Sequence, residues 1–234
     1  MLYIKGLRID WDRIEKESYL RDIDAIKDID EFLFEKPVTF FAGENGSGKS
    51  TLLEAIAIAY GFNPEGGSRN YAFSTHDSHS QLHDAVRLYK GTSLAKNGYF
   101  LRAESFYNVA TAEEEYSKYG GIANHFHEKS HGESFLSMMQ SYFDGKGVYI
   151  LDEPEAALSP QRQLTVLAEM KRCVDKGAQF IIVTHSPILL AFPDAQILSF
   201  DGKLRSIAYE ETESYQVTSL FINSREKMLK ELFE

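Results

Sequence analysis

The stretch Gly43-Glu44-Asn45-Gly46-Ser47-Gly48-Lys49-Ser50-Thr51 decides the fold of this 234-residue chain, because it matches the phosphate-binding loop pattern G-x-x-x-x-G-K-[ST]. Its three glycines permit a tight turn in which successive backbone N–H groups converge on phosphate oxygens. Lys49 adds a point charge at the β- and γ-phosphates, and the Ser50 hydroxyl can ligate Mg²⁺. Residues from Glu44 to Thr51 are therefore predicted to bind phosphate.

The flanking sequence favours this interpretation over a chance glycine-rich turn. Residues 37–42 (Pro-Val-Thr-Phe-Phe-Ala) predict a buried strand, and residues 52–60 predict a helix that Gly61 ends. In a strand–loop–helix unit, the positive N-terminal end of the helix points at the bound phosphates.

The length of 234 residues allows one large α/β domain, and the composition is that of an ordinary soluble globule. The chain is 43% hydrophobic and 26% charged, with a net charge of −10, which argues against constitutive nucleic-acid binding by this chain alone. Its single cysteine, Cys173, suits a reducing cytosol, so we expect a cytoplasmic protein. No apolar run approaches the ~20 residues of a membrane span.

Apolar periodicity predicts a mostly parallel sheet covered by helices, with an antiparallel edge. We expect an edge strand in residues 1–10, a polar connection with little regular structure in 11–31, and strands in 98–104, 147–151 and 180–184. A hairpin is expected to turn at Asp201-Gly202. Helices are expected in 80–89, 110–119, 131–143, from Pro160 (capped by Ser159) to near 177, and in 215–233.

Two carboxylates follow the strand at 147–151, where open α/β sheets bind ligands. Asp152 can hold Mg²⁺, and Glu153 can deprotonate an attacking water as general base. Without the phosphate loop, an acidic strand end of this kind could equally be a plain surface feature. His185 ends the next buried strand and could contact a γ-phosphate, although a structural strand-end histidine is the alternative.

A second anion-binding helix end is predicted at Ser130-His131-Gly132-Glu133. One chain has no evident use for two such ends unless the second serves a neighbouring molecule. The alternative is an ordinary capping turn with Ser134 as N-cap.

Taken together, these motifs resemble an ABC-type ATPase head domain. The phosphate loop, the signature-like residues 130–133, the Asp152-Glu153 pair and His185 stand in that family's order. The sequence of residues 152–159 (Asp-Glu-Pro-Glu-Ala-Ala-Leu-Ser) most resembles the soluble, non-transporter branch that includes RecF, SMC and Rad50 proteins and small bacterial AAA-type ATPases. The resemblance covers most of the chain.

The resemblance implies a P-loop NTPase fold that binds ATP and Mg²⁺ and hydrolyses ATP. Lys49, Glu153 and His185 would be catalytic, and Ser50 and Asp152 would hold the metal. Two chains would form a head-to-tail homodimer, with each ATP between the loop of one and Ser130, Gly132 and Glu133 of the other. Such a dimer would be a conformational switch. A helical signature-bearing subdomain is expected at about residues 69–143, inserted in a single domain over 1–234.

Three positions depart from the family pattern. His131 replaces a glycine of the signature, and Ser159 stands where transporter-type members carry aspartate. The glutamine expected after the mid-chain strand has no obvious counterpart, and Glu104 could ligate Mg²⁺ in its place. Trp11 and Tyr19 are both candidates for stacking on adenine.

Two further interpretations remain at this stage. Zinc binding by His76, His79 and His83, or by the histidines at 125, 127 and 131, has no cysteine in support. For the whole protein, the expected role is genome maintenance or phage defence, with an effector protein or a nucleic acid as further partner. The alternatives are the nucleotide-binding subunit of a transporter and a non-hydrolysing, ATP-gated interaction module.

Overall fold

A computed structural model describes residues 2–68, 80–102 and 131–234 of the chain. Its centre is a seven-stranded sheet in the order β10-β9-β3-β8-β7-β6-β4. The five inner strands run parallel, whereas β10 and β4 pair antiparallel at the two edges. The strands of this sheet are β3 (Val38–Ala42), β4 (Gly67–Ser68), β6 (Asn97–Arg102), β7 (Gly147–Asp152), β8 (Gln179–Val183), β9 (Gln196–Ser199) and β10 (Arg205–Ile207).

A second, three-stranded antiparallel sheet has the order β2-β1-β5. It is formed by β1 (Ile4–Ile9), β2 (Glu31–Leu33) and β5 (Val86–Lys90). The buried side-chain amide of Gln179 on β8 links the two sheets, since its oxygen accepts the N–H groups of Tyr3 and Ile4 and its nitrogen donates to the Ile4 carbonyl.

Helices cover both faces of the central sheet. They are α1 (Lys49–Tyr60), α2 (Leu82–Ala85), α3 (His131–Tyr142), α4 (Pro160–Asp175), α5 (Pro187–Leu190) and α6 (Glu213–Phe233). Phe40 and Phe41 on β3 are fully buried and join opposite clusters, one containing α1 residues and the other residues of α3, α4 and α5. This alternation explains why the inner strands are apolar throughout: both of their faces are covered.

The predicted fold class is confirmed: the chain is α/β, with a mostly parallel sheet flanked by helices and antiparallel edges. The strand–loop–helix unit around the phosphate loop also forms as expected. Gly61 ends α1 in the left-handed conformation, and Ser159 caps α4 through its hydroxyl, with Pro160 at the first helical position.

Two local predictions were wrong. Residues 1–10 were expected to form an edge strand, but β1 lies in the middle of its sheet, with β2 and β5 on either side. Residues 80–89 were expected to be helical, but the helix ends at Ala85 and Val86 begins β5. Pairing with β1 from Val86 to Lys90 outweighs the helical spacing of the apolar residues in this segment.

The expected helical subdomain at about 69–143 stays a prediction. Within it the structure describes residues 80–102 and 131–143, which contain α2 and α3 but also β5 and β6, one strand in each sheet. The helix expected at 110–119 lies outside the described residues. Across residues 2–68, 80–102 and 131–234, each helix is too short or too polar to cross a membrane.

Candidate functional site

The phosphate loop connects β3 to α1 through three glycines in backbone conformations with positive φ. The φ angles are 141° at Gly43, 81° at Gly46 and 94° at Gly48, which caps the N-terminus of α1. Residues other than glycine rarely adopt such φ angles. At Gly43 space is limiting as well, because a Cβ atom would lie 2.8 Å from Oδ1 of Asp201.

Lys49 at the start of α1 is almost completely buried, with 4% of its surface exposed. Its ammonium group donates to the carbonyl oxygens of Gly43 at 2.8 Å and Glu44 at 2.6 Å. Burial lowers the pKa of Lys49, while nearby carboxylates, Glu153 foremost, act in the opposite direction. The loop therefore holds a largely desolvated cation at its centre, as a phosphate site requires.

Ser50 and Asp152 come together although they are far apart in sequence. The Ser50 hydroxyl on α1 donates to Oδ1 of Asp152, the last residue of β7, at 2.9 Å. A hydroxyl and a carboxylate oxygen are ligands that suit Mg²⁺. The structure thus joins the two predicted metal ligands in one place.

Glu153 occupies a left-handed backbone conformation, with φ 48° and ψ 53°. Its N–H donates to the carbonyl oxygen of Val183 at 3.0 Å, which ties the ends of β7 and β8 together. Its Oε1 lies 3.8 Å from Nε2 of His185. A left-handed backbone is strained for a residue other than glycine, and strained residues of this kind cluster at active sites and ligand clamps.

His185 follows β8 and is held through its backbone. Its N–H donates to Oε1 of Glu155 at 2.6 Å. Within the described part of the chain, Nε2 of His185 and Oε2 of Glu155 are buried atoms that make no hydrogen bond. A buried polar atom without a partner requires an explanation, and for Nε2 of His185 a ligand is one.

Asp201 is a site residue that the sequence analysis missed. Its Oδ1 accepts the N–H of Glu44 in the phosphate loop at 2.8 Å, and its own backbone N–H donates to the Ser199 hydroxyl. Asp201 entered the sequence analysis only as the turn of a hairpin. The sequence holds no local signal for this contact, because it depends on β9 lying next to β3 in the sheet and so ending beside the loop.

A cleft of about 590 Å³ opens beside the phosphate loop. Tyr19, 59% exposed, lines it together with Ile23, Glu44, Asp201 and neighbouring residues. Trp11 takes no part in this cleft: it packs against the core, and its indole N–H donates to the Ile29 carbonyl at 2.9 Å. Of the two predicted adenine contacts, only Tyr19 borders the cleft.

The signature-like residues are only partly described. Ser130 and Glu104 lie outside the described residues. His131 and Gly132 open α3, and Glu133 in its first turn forms an ion pair with Arg162 of α4 at 3.2 Å. The structure therefore places Glu133 beside α4 and leaves the predicted roles of the signature as predictions.

The histidines considered for zinc give no metal site in the described residues, where no group of three or more potential ligands occurs. His83 instead contacts the Ser80 carbonyl and Asp84. The other four histidines outside the signature and the strand end, at 76, 79, 125 and 127, lie outside the described residues.

Parts of this chain match two family models and a curated protein. One AAA-domain family model, whose description mentions the AbiEii toxin of a type IV toxin–antitoxin system, matches residues 134–191. The macrolide export ATP-binding/permease protein MacB of Salmonella typhimurium is 33% identical over 69 residues, which are 30% of this chain and 11% of MacB. The chain thus matches only a small part of this curated relative.

Solved structures with a similar arrangement have low sequence identity. The SMC head domain from Thermotoga maritima is 16% identical, with a TM-score of 0.45, covering 88% of this chain and all of that one. An ATP-binding cassette of an ABC transporter, in its ADP conformation, is 17% identical, with a TM-score of 0.49, and 96% of each chain is covered.

The family itself follows from a match over more than half of the chain. The model described as "AAA domain" matches residues 19–140, which include the phosphate loop with β3 and α1. This agrees with the resemblance to ABC-type ATPases that the order of the motifs indicates. The chain therefore belongs to the AAA domain family.

Proposed function

We propose that the chain binds ATP with Mg²⁺ at residues 43–51 and hydrolyses it, with Glu153 as general base. The observation that carries this proposal is the 2.9 Å contact between Ser50 and Asp152. It joins a hydroxyl and a carboxylate oxygen directly beside the phosphate loop, which is the arrangement that a metal–phosphate complex needs.

The donor set fits magnesium. Ser50 and Asp152 supply oxygen ligands, which Mg²⁺ prefers to nitrogen or sulfur, and Glu104 is the third predicted ligand. When bound, Mg²⁺ supplies positive charge that offsets the charge building up on the phosphates. Ser50 and Asp152 would exchange their mutual hydrogen bond for contacts with the ion.

Each catalytic side chain has one task in the proposed reaction. The Lys49 ammonium binds the β- and γ-phosphates, exchanging its bonds to the loop carbonyls for phosphate oxygens. Glu153 takes a proton from the attacking water. His185 donates from Nε2 to the γ-phosphate, and the 3.8 Å separation of its Nε2 from Glu153 Oε1 would allow both groups to reach one small reacting centre. Tyr19 stacks on adenine.

The proposed active form is a head-to-tail homodimer. Each ATP would lie between the loop of one chain and Ser130, Gly132 and Glu133 of the other. ATP binding would close the dimer and hydrolysis would open it, since only contacts present in the ATP state can drive such a switch. The pathway that we propose is genome maintenance or phage defence in the cytoplasm, with an effector protein or a nucleic acid as further partner.

The family description that mentions a toxin–antitoxin system is compatible with a defence role. The match to MacB favours a second candidate, the nucleotide-binding subunit of a transporter. The two differ in what stimulates turnover: DNA or a soluble effector for the first, a membrane permease for the second.

Hydrolysis is tested by measuring phosphate release from Mg-ATP by the purified chain and by Glu153→Gln, with and without DNA. We expect turnover in the parent and at least a ~100-fold loss in Glu153→Gln with ATP binding retained, because only the base is removed. Glu226→Gln, an exposed position on α6, is the matched control and should behave like the parent. Equal turnover in Glu153→Gln and the parent would refute the assignment, and binding without parent turnover would favour an ATP-gated module.

A further inference from the structure

Glu155 lies beside the site, and its carboxylate has no role in the reaction proposed above. It lies on a short 3-10 helix, Pro154–Ala157, that follows the Asp152-Glu153 pair. Its Oε1 accepts the backbone N–H of His185 at 2.6 Å, across thirty positions of sequence. The segment after β7 is thus joined to the turn after β8 by a bond to a charged acceptor, which is stronger than a bond between neutral groups.

A second contact joins the same two parts of the fold. The hydroxyl of Ser186, next to His185, donates to Oε1 of Gln163 on α4 at 2.5 Å, and Gln163 Nε2 donates to the Leu158 carbonyl. The Ser186 hydroxyl also accepts the N–H groups of Ile188 and Leu189 and so caps α5. The turn at His185 is therefore fixed on its N-terminal side by Glu155 and on its C-terminal side by Gln163.

The orientation of His185 depends on this fixation. Its Nε2 is a buried atom with no hydrogen-bond partner in the described part of the chain, 3.8 Å from Glu153. Among the described residues, no hydrogen bond to the imidazole fixes the ring, so the backbone must set its direction. A misplacement of about 1 Å at a reacting centre can cost about 100-fold in rate.

We propose that Glu155 is a positioning residue for the hydrolysis reaction, acting through the backbone N–H of His185. One carboxylate oxygen accepts that N–H and aims the imidazole at the γ-phosphate. Glu155 does not contact the reacting atoms. This inference rests on the proposed ATPase function and adds a residue to it.

The kinetic test compares Glu155→Ala with Glu155→Gln. The glutamine keeps an acceptor oxygen of the same reach, so we expect it to retain kcat within about threefold, whereas alanine should lower kcat by about 10- to 100-fold. The KM for ATP should change little in either variant, because Lys49 and the loop amides are untouched. Equal loss in both variants would overturn the proposal in favour of direct chemistry by the carboxylate, and parent-like kcat in Glu155→Ala would overturn it outright.

A second readout keeps the inference separate from the ATPase proposal. The amide hydrogen of His185 should exchange with solvent slowly in the parent and in Glu155→Gln, and at least about tenfold faster in Glu155→Ala, since its acceptor is lost. Glu226→Ala is the control and should leave this exchange unchanged. If the parent does not hydrolyse ATP, the proposed function fails, yet unchanged His185 exchange in Glu155→Ala would still refute the positioning contact independently.

Discussion

The Ser50 hydroxyl donates a hydrogen bond to Oδ1 of Asp152 at 2.9 Å and so joins residues 102 positions apart. Ser50 belongs to the helix that follows β3, and Asp152 ends β7, two strands away in the sheet, with β8 between them. Helix α1 bridges this distance because it packs across the sheet face over β8 and β7. The contact unites the phosphate loop and the acidic pair in one site.

The metal assignment predicts the behaviour of Asp152→Asn. Loss of the charged ligand should reduce turnover by about 100-fold and raise the Mg²⁺ concentration needed for half-maximal rate, since an amide binds the ion less well than a carboxylate. The measurement is the ATPase rate as a function of Mg²⁺. Asp194→Asn, an exposed turn residue, is the control. An unchanged Mg²⁺ dependence would contradict the assignment.

We expect Tyr19 to contact ATP and Trp11 to stabilise the fold. Tyr19→Ala should weaken ATP binding by about 3- to 10-fold through loss of stacking, while Tyr19→Phe should bind like the parent. Trp11→Phe should leave ATP affinity unchanged but lower stability by about 1 kcal/mol, because the bond from the indole to the Ile29 carbonyl is lost. Titration with a fluorescent ATP analogue and urea unfolding measure the two effects. Reduced affinity in Trp11→Phe alone would reverse the assignment.

The loop geometry predicts unequal costs at two glycines. Gly46→Ala places its Cβ in open space, so only the positive φ is penalised, at about 1–2 kcal/mol. Gly43→Ala adds a Cβ that would lie 2.8 Å from Asp201, and its cost should be larger by about 1–3 kcal/mol. Urea unfolding of both variants without nucleotide compares them. Equal stability of the two would show that Asp201 does not pack against Gly43 as described.

Stability at alkaline pH should depend on Tyr149. Burial raises the pKa of this tyrosine to about 12. In the unfolded chain it ionises near its ordinary value of about 10, so between these values the folded state binds more protons and stability falls as the pH rises. Tyr149→Phe removes this effect, although it also loses the hydroxyl's contacts with Asp144 and Tyr142.

We therefore expect the stability difference between the parent and Tyr149→Phe to shrink as the pH rises from about 9 to about 11.5. The free energy of unfolding, measured by urea titration across this range, gives the difference directly. A difference that does not vary with pH would contradict the raised pKa.

The phosphate loop, the inner strands and the helices α1, α3, α4 and α6 could be predicted because each reflects a local pattern. The loop follows a fixed sequence motif. Strands such as β8 are apolar throughout because both sheet faces are covered. The pairing of β1 with β5 could not be read from spacing, since Val86 to Lys90 fits a helical pattern equally well. Long-range pairing decided that segment.

The site shows the same division between local and long-range information. The roles assigned to Lys49, Ser50 and Asp152 came from local motifs, and the structure brings these residues together. Asp201 and Glu155 were missed because each accepts a hydrogen bond from a backbone N–H far away in the sequence, at Glu44 and His185. Contacts of this kind depend on which strands are neighbours, and no single motif records that.

We propose that ATP closes a homodimer through two shared sites. The most direct measurement is the mass of Glu153→Gln by size exclusion with light scattering, with and without Mg-ATP, beside the double variant Lys49→Ala/Glu153→Gln. We expect twice the monomer mass for Glu153→Gln only when Mg-ATP is present, and the monomer mass for the double variant under both conditions. A Glu153→Gln chain that binds ATP at saturation and stays monomeric would contradict it.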